Sequence, residues 1–301
     1  MQQSDRAGLL FTLTGFCLLS VGDAIIKGVA GEWTPPAVAA FRYALGAVGL
    51  SLFLYQREGR APFLKVPKPG VQLLRGLAVA GATLAFFGSI WLMPLADAVA
   101  ITFTQPMFTA MLAAAFLGER LRLHTVAATL VAFAGVLIIL RPNFLEIGWA
   151  ALLPLFCAFC MAVLVTANRA VRGAGSVLAA QAYVAIGGAF TLGLVVTLGT
   201  LSGDPRVAFY WPEWHVLLRV AFVACSATAA HWLVFLGTER AGAATVAPMT
   251  YGQLLVATSL AWIFFDEAPD AVAMLGAALI VGSGLWLWWL GRRRDLAGTT
   301  R

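Results

Sequence analysis

Three ionisable residues, Asp23, Lys27 and Arg42, stand inside long stretches of apolar residues. A charged side chain at the centre of a lipid-embedded helix costs at least about 2.5–3.5 kcal/mol, so such residues usually face a cavity or one another. Asp23 and Lys27 are four residues apart and share one face of a helix. The three could form a polar rim that meets the carboxylate and ammonium groups of a zwitterionic substrate, with Asp23 a candidate proton carrier. Alternatively, Lys27 extends to the membrane surface and Asp23 pairs with Arg42 to stabilise the fold.

Two glutamines, Gln105 and Gln253, occupy matching positions in two further apolar stretches, and each follows a threonine, Thr102 or Thr250, by three residues. These side chains could line a central cavity and hydrogen-bond the polar groups of a substrate. They could also hold neighbouring helices together, because hydrogen bonds between membrane helices contribute about 0.6–2 kcal/mol each. We favour the cavity, because the matching positions put both glutamines near the middle of the membrane.

Prolines, a histidine and aromatic residues complete the set of candidates. Pro106, Pro154 and Pro248 interrupt apolar stretches. A proline inside a helix removes one backbone donor, so these positions are candidate hinges or static kinks. His231 lies well inside an apolar stretch and could sense protons, bind substrate or serve as a structural hydrogen-bonding residue. Five aromatic residues are candidates for a cavity wall, although on membrane helices such residues more often pack or face lipid: Tyr43, Trp91, Tyr183, Trp232 and Tyr251.

The composition indicates that membrane helices must position these residues. Hydrophobic residues make up 61% of the 301 residues and charged residues only 11%. A soluble domain carries about 25% charged residues, so a soluble enzyme, a disordered chain and a secreted disulfide-linked scaffold are excluded. The apolar stretches are long and continuous, which excludes a barrel of short alternating strands.

Ten apolar stretches are long enough to span a membrane, since a helical span needs about 20 residues. The sequence therefore predicts an all-α integral membrane protein with ten transmembrane helices. The predicted spans are Gly8–Gly28, Pro36–Tyr55, Val71–Met93, Ala96–Leu117, Leu123–Leu140, Ile147–Thr166, Val177–Leu201, Val216–Gly237, Ala243–Phe265 and Ala271–Leu290.

The basic residues predict the orientation of these spans, because Lys and Arg concentrate on the cytoplasmic side of membrane proteins. An even number of spans puts both termini on one side of the membrane. That side receives 15 of the 20 basic residues, and the other side receives three. We therefore predict that the N- and C-termini are cytoplasmic.

The two halves of the chain repeat each other. A shift of 140 residues superposes Tyr43 on Tyr183, and a shift of 148 superposes Gln105 on Gln253. Each copy contains five spans, so the second copy enters the membrane from the opposite side. Residues 1–145 and 146–301 are thus predicted to form two five-helix repeats of inverted topology. Many secondary transporters are built in this way, with the substrate site at the repeat interface near mid-membrane.

Motifs of enzyme chemistry are missing from the sequence. It contains no P-loop lysine motif, no HExxH, no GxGxxG and no GxSxG, so we expect neither ATP use nor a cofactor. Cys157 and Cys160 have a CxxC spacing, but on a lipid-embedded helix this favours packing over metal binding. The scattered basic residues do not indicate nucleic-acid binding. An intramembrane enzyme would need paired catalytic groups, and Asp23 is the only acid that we place inside a span.

The ends of two spans carry motifs of a known family. Gly118-Glu119-Arg120 ends the fourth span and Asp266–Pro269 follows the ninth. With ten spans in two halves, they resemble the EamA-type carriers of the drug/metabolite transporter superfamily. The positions of Lys27 and Arg42 are also similar to that family, and the resemblance covers essentially the whole chain. We expect Glu119 and Glu267 to cap helices or to bridge loops.

Within that family, the many aromatic residues and the surroundings of Asp23–Lys27 resemble YddG-type exporters of aromatic and other amino acids. One departure is Gln253-Leu254, where family members often carry Glu-Pro, which argues against a titrating carboxylate there. The resemblance implies a bacterial inner-membrane transporter that exports small metabolites, foremost amino acids with aromatic or apolar side chains, by alternating access. Its partners would be the substrate, the lipid bilayer and a candidate coupling proton. An exporter of drugs or lipophilic cations is the alternative on this fold, and an intramembrane enzyme is a more distant one.

Overall fold

The computed structural model of the protein describes residues 3–117, 123–171, 173–241 and 246–298, which are helical apart from short turns and connections. A chain in lipid must satisfy its backbone donors and acceptors internally, as a helix does. The helices are α1 (Gln3–Lys27), α2 (Pro35–Glu58), α3 (Ala61–Leu64), α4 (Pro69–Leu92), α5 (Leu95–Thr102), α6 (Gln105–Leu117), α7 (Leu123–Ile147), α8 (Leu153–Ala170), α9 (Val177–Ser202), α10 (Trp214–Ala241), α11 (Tyr251–Phe265) and α12 (Ala271–Gly298).

Within the described ranges, nine helical stretches are long and apolar enough to cross a membrane. They confirm the all-α, multi-span membrane fold. The remaining predicted span is Ala243–Phe265. Its described part is a 3-10 turn, Ala247–Thr250, followed by the 15 residues of α11. At 1.5 Å per residue α11 is only about 22 Å long, shorter than the roughly 30 Å of a hydrocarbon core.

The predicted span Ala96–Leu117 is divided in a similar way, into α5 and α6. Prolines account for these divisions, because a proline lacks the backbone N–H and is tolerated only where that donor needs no partner, in the first turn of a helix. Pro106 is the second residue of α6, and Pro248 is the second residue of the 3-10 turn. Pro154 takes the same position in α8. Pro106 and Pro154 therefore follow a break in a span, and Pro248 lies in the 3-10 turn that precedes α11.

The chain divides into two compact units, and each draws on both halves of the sequence. Unit 1 comprises the described residues of 1–24, 89–155 and 226–301. In unit 1, α7 packs along α12, and α5 packs against α11. Gly135 of α7 and Gly276 of α12 allow a close approach, because a Cβ atom on Gly135 would lie 2.6 Å from the carbonyl oxygen of Gly276. Small residues at such interfaces let the backbones of membrane helices meet.

Unit 2 comprises the described residues of 25–88 and 156–225. Here α2 packs along α9. Gly76 of α4 and Gly187 of α9 also meet backbone to backbone, because a Cβ atom on Gly76 would lie 2.7 Å from the Cα atom of Gly187. Trp33, in the connection between α1 and α2, is only 2% exposed and donates from Nε1 to the carbonyl of Tyr210 at 2.8 Å. These contacts fix the helices of unit 2 along their length and at one end.

Charged pairs in unit 2 lie in the connections between spans and in the first turns of α10. His215 Nε2 lies 2.6 Å from Glu32 Oε2, and Arg219 Nη1 donates to Glu32 Oε1 at 3.0 Å. In the connection between α9 and α10, hydrogen bonds from Arg206 to Asp204 lower the pKa of that carboxyl to about 2. Polar groups at helix ends can keep water as a partner, so pairs of this kind cost little there.

Three pairs of packed helices join predicted spans that are five apart in the sequence. They are α2 with α9, α5 with α11, and α7 with α12. An inverted repeat with a two-fold axis in the membrane plane produces this pairing, because each helix near the axis meets its own equivalent. The division into repeats 1–145 and 146–301 stays a prediction that the helix packing favours, and it differs from the division into units 1 and 2.

Candidate functional site

A cavity of about 570 Å³ lies within unit 1. Small-molecule sites in proteins measure roughly 300–1,000 Å³, so the cavity is large enough for a metabolite. Its wall comes from α1, α5, α6, α10, α12 and the region around the 3-10 turn before α11. The lining residues are Thr12, Phe16, Thr102, Phe103, Gln105, Pro106, Val234, Val246, Pro248, Thr250, Tyr251, Gly284, Leu287 and Trp288.

The wall of this cavity is uncharged and partly aromatic. Of the described residues that line it, none carries a formal charge at neutral pH. Four of them, Phe16, Phe103, Tyr251 and Trp288, contribute aromatic rings. Aromatic rings bind other rings through offset stacking and edge-to-face contacts. The cavity therefore suits a flat and largely uncharged molecule.

Hydroxyl and amide groups supply hydrogen bonds in the same wall. Thr102 Oγ1 donates its proton to the carbonyl of Val99 at 2.7 Å, so the lone pairs of that oxygen are left as acceptors. Gln105 and Thr250 each bring both a donor and an acceptor to the wall. Thr12 contributes less, because its side chain is fully buried and its hydroxyl donates to the carbonyl of Gly8 at 3.0 Å.

Phe103 and Tyr251 meet where the two divided spans break. Their ring centroids lie 5.3 Å apart with the ring planes at 83°, an edge-to-face contact. They are 148 residues apart, so they are equivalent positions of the predicted repeat. The Tyr251 hydroxyl packs against Gly284 of α12, where an added Cβ atom would lie 1.9 Å from it. Gly284 therefore determines where the Tyr251 ring can lie.

Gln253 is not in the cavity wall, unlike its equivalent Gln105. Its Nε2 donates to Asp23 Oδ2 at 3.2 Å, and its backbone carbonyl accepts a hydrogen bond from Ser20 Oγ at 2.7 Å. Ser20 is fully buried. These bonds tie α11 to α1, as the alternative interpretation of the glutamines expects. Gln253 consequently orients Asp23 and holds the two helices together.

The other residues of the predicted polar rim, Lys27 and Arg42, lie in unit 2. Lys27 is the last residue of α1 and is only 9% exposed. The guanidinium of Arg42 lies 5.6 Å from the ring centroids of both Tyr43 and Phe87, a cation–π arrangement. The Tyr43 hydroxyl lies 3.2 Å from that of Thr83. Arg42 is thus held among aromatic residues, and the rim stays a prediction.

The remaining candidates lie outside the wall of the unit 1 cavity. Tyr183, in unit 2, donates from its hydroxyl to the carbonyl of Pro62 at 2.7 Å. His231 has its Nδ1 2.6 Å from the carbonyl of Ala227 in its own helix. Trp232 is 56% exposed, and Trp91 is half-buried. For Tyr183 and His231, a structural role is the simpler interpretation. The exposure of Trp232 indicates that its side chain faces outward from the protein.

Sequence reasoning missed a buried acid. Asp97, in the first turn of α5, is only 8% exposed. The expectation that Asp23 is the only acid inside a span is therefore wrong, because Asp97 is the second residue of the predicted span Ala96–Leu117. Glu267 caps the same helix, because its Oε2 accepts a hydrogen bond from the backbone N–H of Leu95 at 3.1 Å. This confirms the capping role expected of Glu267, whereas Gly118-Glu119-Arg120 lies outside the described residues.

Comparison with known proteins finds relatives that are named as transporters. The model of the EamA-like transporter family matches residues 6–141. A riboflavin transporter of Rhizobium johnstonii is 30% identical over 263 residues, which are 87% of this chain and 83% of that protein. An S-adenosylmethionine uptake transporter of Rickettsia bellii is 26% identical over 93% of this chain and 92% of that protein. The pseudopaline exporter CntI of Pseudomonas aeruginosa is 25% identical over 92% and 94%.

One solved crystal structure has the same fold, with a TM-score of 0.60 and 21% identity over 92% of this chain and 95% of that one. The fold is that of a multi-span membrane protein. The chain belongs to the EamA-like transporter family, as its sequence predicts. The named relatives handle riboflavin, S-adenosylmethionine and pseudopaline, so they do not single out amino acids.

Proposed function

We propose that the protein carries a metabolite with a flat aromatic ring and uncharged polar edges across the bacterial inner membrane, through the cavity of unit 1. The observation that carries this proposal is the uncharged wall with four aromatic rings and a few hydroxyl and amide groups. Burial of a ring against aromatic residues supplies affinity, and Thr102, Gln105 and Thr250 supply orientation. Riboflavin, which the Rhizobium johnstonii relative is named for, has this chemistry and is the first compound to test.

Export of aromatic amino acids is the second candidate. An aromatic side chain satisfies the same rings, and the buried charged residues Asp23, Lys27 and Arg42 would have to meet the ammonium and carboxylate groups. For this candidate, the ammonium and carboxylate groups of the substrate must reach charged residues that are not part of the uncharged cavity wall. Lipophilic cations rank lower, because the described wall contains no acid.

Alternating access is the mechanism that we propose for this transport. The divided spans supply hinges near Pro106 and Pro248, because a break frees backbone groups and allows the two parts of a span to move separately. The Phe103–Tyr251 contact joins the two breaks across the cavity wall. With cytoplasmic termini, Thr12 lies in the cytoplasmic half of α1 and Phe16 lies near the middle of that helix. Asp23 is the candidate for carrying a coupling proton.

Counterflow in proteoliposomes tests the substrate class. Vesicles holding the full chain and unlabelled compound are mixed with labelled riboflavin, phenylalanine, tryptophan or tetraphenylphosphonium, with and without a pH gradient. We expect riboflavin to exchange fastest and the lipophilic cation not to exchange. Exchange of phenylalanine and tryptophan without riboflavin would favour the second candidate, and exchange of the cation alone would refute both.

A matched pair of tryptophan variants tests the site. Trp288→Ala removes a ring from the wall, and loss of one aromatic contact of about 1.4 kcal/mol raises KM roughly tenfold. Trp262→Ala removes a ring from α11 that is 62% exposed and lies outside the wall. We expect the second variant to exchange substrate like the wild type. Equal effects of the two substitutions would show that the cavity is not the substrate site.

A further inference from the structure

The connection between α2 and α4 combines exposed apolar and basic side chains. We call residues 57–68 the basic segment. The basic segment contains α3. The side chains of Phe63, Leu64 and Val66 in this segment are 36%, 80% and 38% exposed, respectively. The same twelve residues contain one acid, Glu58, and four cations, Arg57, Arg60, Lys65 and Lys68. Exposed apolar groups interleaved with cations are typical of a segment that lies on a lipid surface.

Two hydrogen bonds fix the basic segment to other parts of unit 2, so it is not free to fold its apolar residues inward. Tyr183 donates to the carbonyl of Pro62 at 2.7 Å, and Lys68 Nζ donates to the carbonyl of Ala170 at 2.6 Å. Because the segment links two helices that are long enough to span the membrane, it lies at the boundary between lipid and water. Its exposed apolar side chains therefore need lipid, since water would solvate them poorly.

An apolar cleft of about 300 Å³ opens beside this segment. Phe63 and Val66 form one wall, and Leu73, Ile186 and Gly187 are among the residues of the other walls. Gly187 has no side chain, and its backbone contact with Gly76 keeps α4 and α9 close. A hydrocarbon chain is the ligand that matches such walls. Lys65 lies between Phe63 and Val66 in the sequence and is exposed, so a cation borders the cleft.

We propose that the cleft binds one acyl chain of an anionic phospholipid, whose phosphate is held by Arg60 and Lys65. The other two cations of the basic segment already have contacts, because Lys68 donates to Ala170 and the guanidinium of Arg57 lies 5.2 Å from the ring centroid of Phe53. Cations next to a membrane attract anionic lipids over neutral ones, by about fivefold per cation. The proposal concerns lipid and is independent of the transported substrate.

Lipid retention by the purified full chain tests the headgroup half of the proposal. Native mass spectrometry measures binding of phosphatidylglycerol and of phosphatidylcholine with the same acyl chains. We expect the wild type to prefer phosphatidylglycerol. The double variant Arg60→Gln/Lys65→Gln should lose that preference by about 25-fold, which is fivefold for each of the two cations removed. Arg206→Gln is the control, since it removes a cation whose side chain is 86% exposed in another connection. An unchanged preference in the double variant, or an equal loss in the control, overturns the proposal.

Filling the cleft tests the acyl-chain half. Leu73→Trp puts a larger side chain at a position that lines the cleft and is 52% exposed, so folding should tolerate it. Leu198→Trp makes the same change at a 57% exposed position of α9 outside the cleft. We expect phosphatidylglycerol binding to fall at least fivefold in the first variant only. Equal binding in the two variants overturns the proposal, and circular dichroism verifies that both are folded.

Discussion

At the scale of single residues, the cavity depends on one glycine as much as on its aromatic residues. The Tyr251 hydroxyl occupies the space that a side chain at position 284 would take. The ring of Tyr251 is also the partner of Phe103 in the edge-to-face contact. A change at Gly284 therefore alters the cavity by displacing the ring of Tyr251.

We predict that Gly284→Ala lowers transport at least tenfold. The new Cβ atom would lie 1.9 Å from Tyr251 Oη, so the ring must move and the contact with Phe103 is lost. Overpacking of this kind also costs about 1–3 kcal/mol of stability. Gly282→Ala, two residues earlier on α12, is the control, because nothing lies within 4 Å of its added Cβ atom. Exchange rates in proteoliposomes measure the effect, and similar rates in both variants would contradict it.

Spacing in the sequence predicted part of the cavity wall, and one of its failures has a clear physical reason. Thr102, Gln105, Thr250 and Tyr251 all line the cavity. Gln253, three residues after Thr250, instead bonds to Asp23. Position along a span determines depth in the membrane, but a break between two helices resets the rotation about the helix axis. Two equivalent positions of the repeat therefore need not point their side chains the same way, and Gln253 does not enter the cavity although Gln105 does.

At the scale of helices, continuous hydrophobicity hides the breaks on which the site depends. The predicted span Val177–Leu201 agrees with α9, Val177–Ser202, to within one residue. The predicted span Ala96–Leu117 contains two helices, yet its composition does not change across the break. Local backbone geometry near a proline decides where such a span divides, and hydropathy averages over it. The prolines were the available signal for these breaks, and their role as hinges stays a prediction.

We predict that Pro106→Ala and Pro248→Ala slow transport severalfold while changing the free energy of unfolding by about 1 kcal/mol or less. Alanine fits the first turn of a helix, but it allows the helix to extend backward across the break and stiffens the wall. Thermal unfolding and exchange rates together separate the two effects. Pro154→Ala is the comparison, because Pro154 has the same helical position outside the wall. A loss of stability that matches the loss of transport would indicate static kinks rather than hinges.

At the scale of the whole molecule, the division into two inverted repeats stays a prediction, and the packing of equivalent helices favours it. Each of the pairs α2 with α9, α5 with α11, and α7 with α12 joins equivalents of the two predicted repeats. The Phe103–Tyr251 contact repeats this relation between two side chains. Inverted repeats require an odd number of spans in each half, so the total is even and both termini lie on the same side of the membrane.

We predict that both termini are cytoplasmic, because 15 of the 20 basic residues fall on the side of the termini when ten spans are counted. Green fluorescent protein fused after the last residue should fluoresce, since it folds in the cytoplasm, and alkaline phosphatase fused there should be inactive. Phosphatase inserted next to Gly203, in the connection between α9 and α10, should be active and is the opposite-side control. If the C-terminal phosphatase were active, the number of spans would be odd or the orientation reversed, and Ala243–Phe265 would be the first segment to re-examine, because its described part is too short to cross the membrane as one helix.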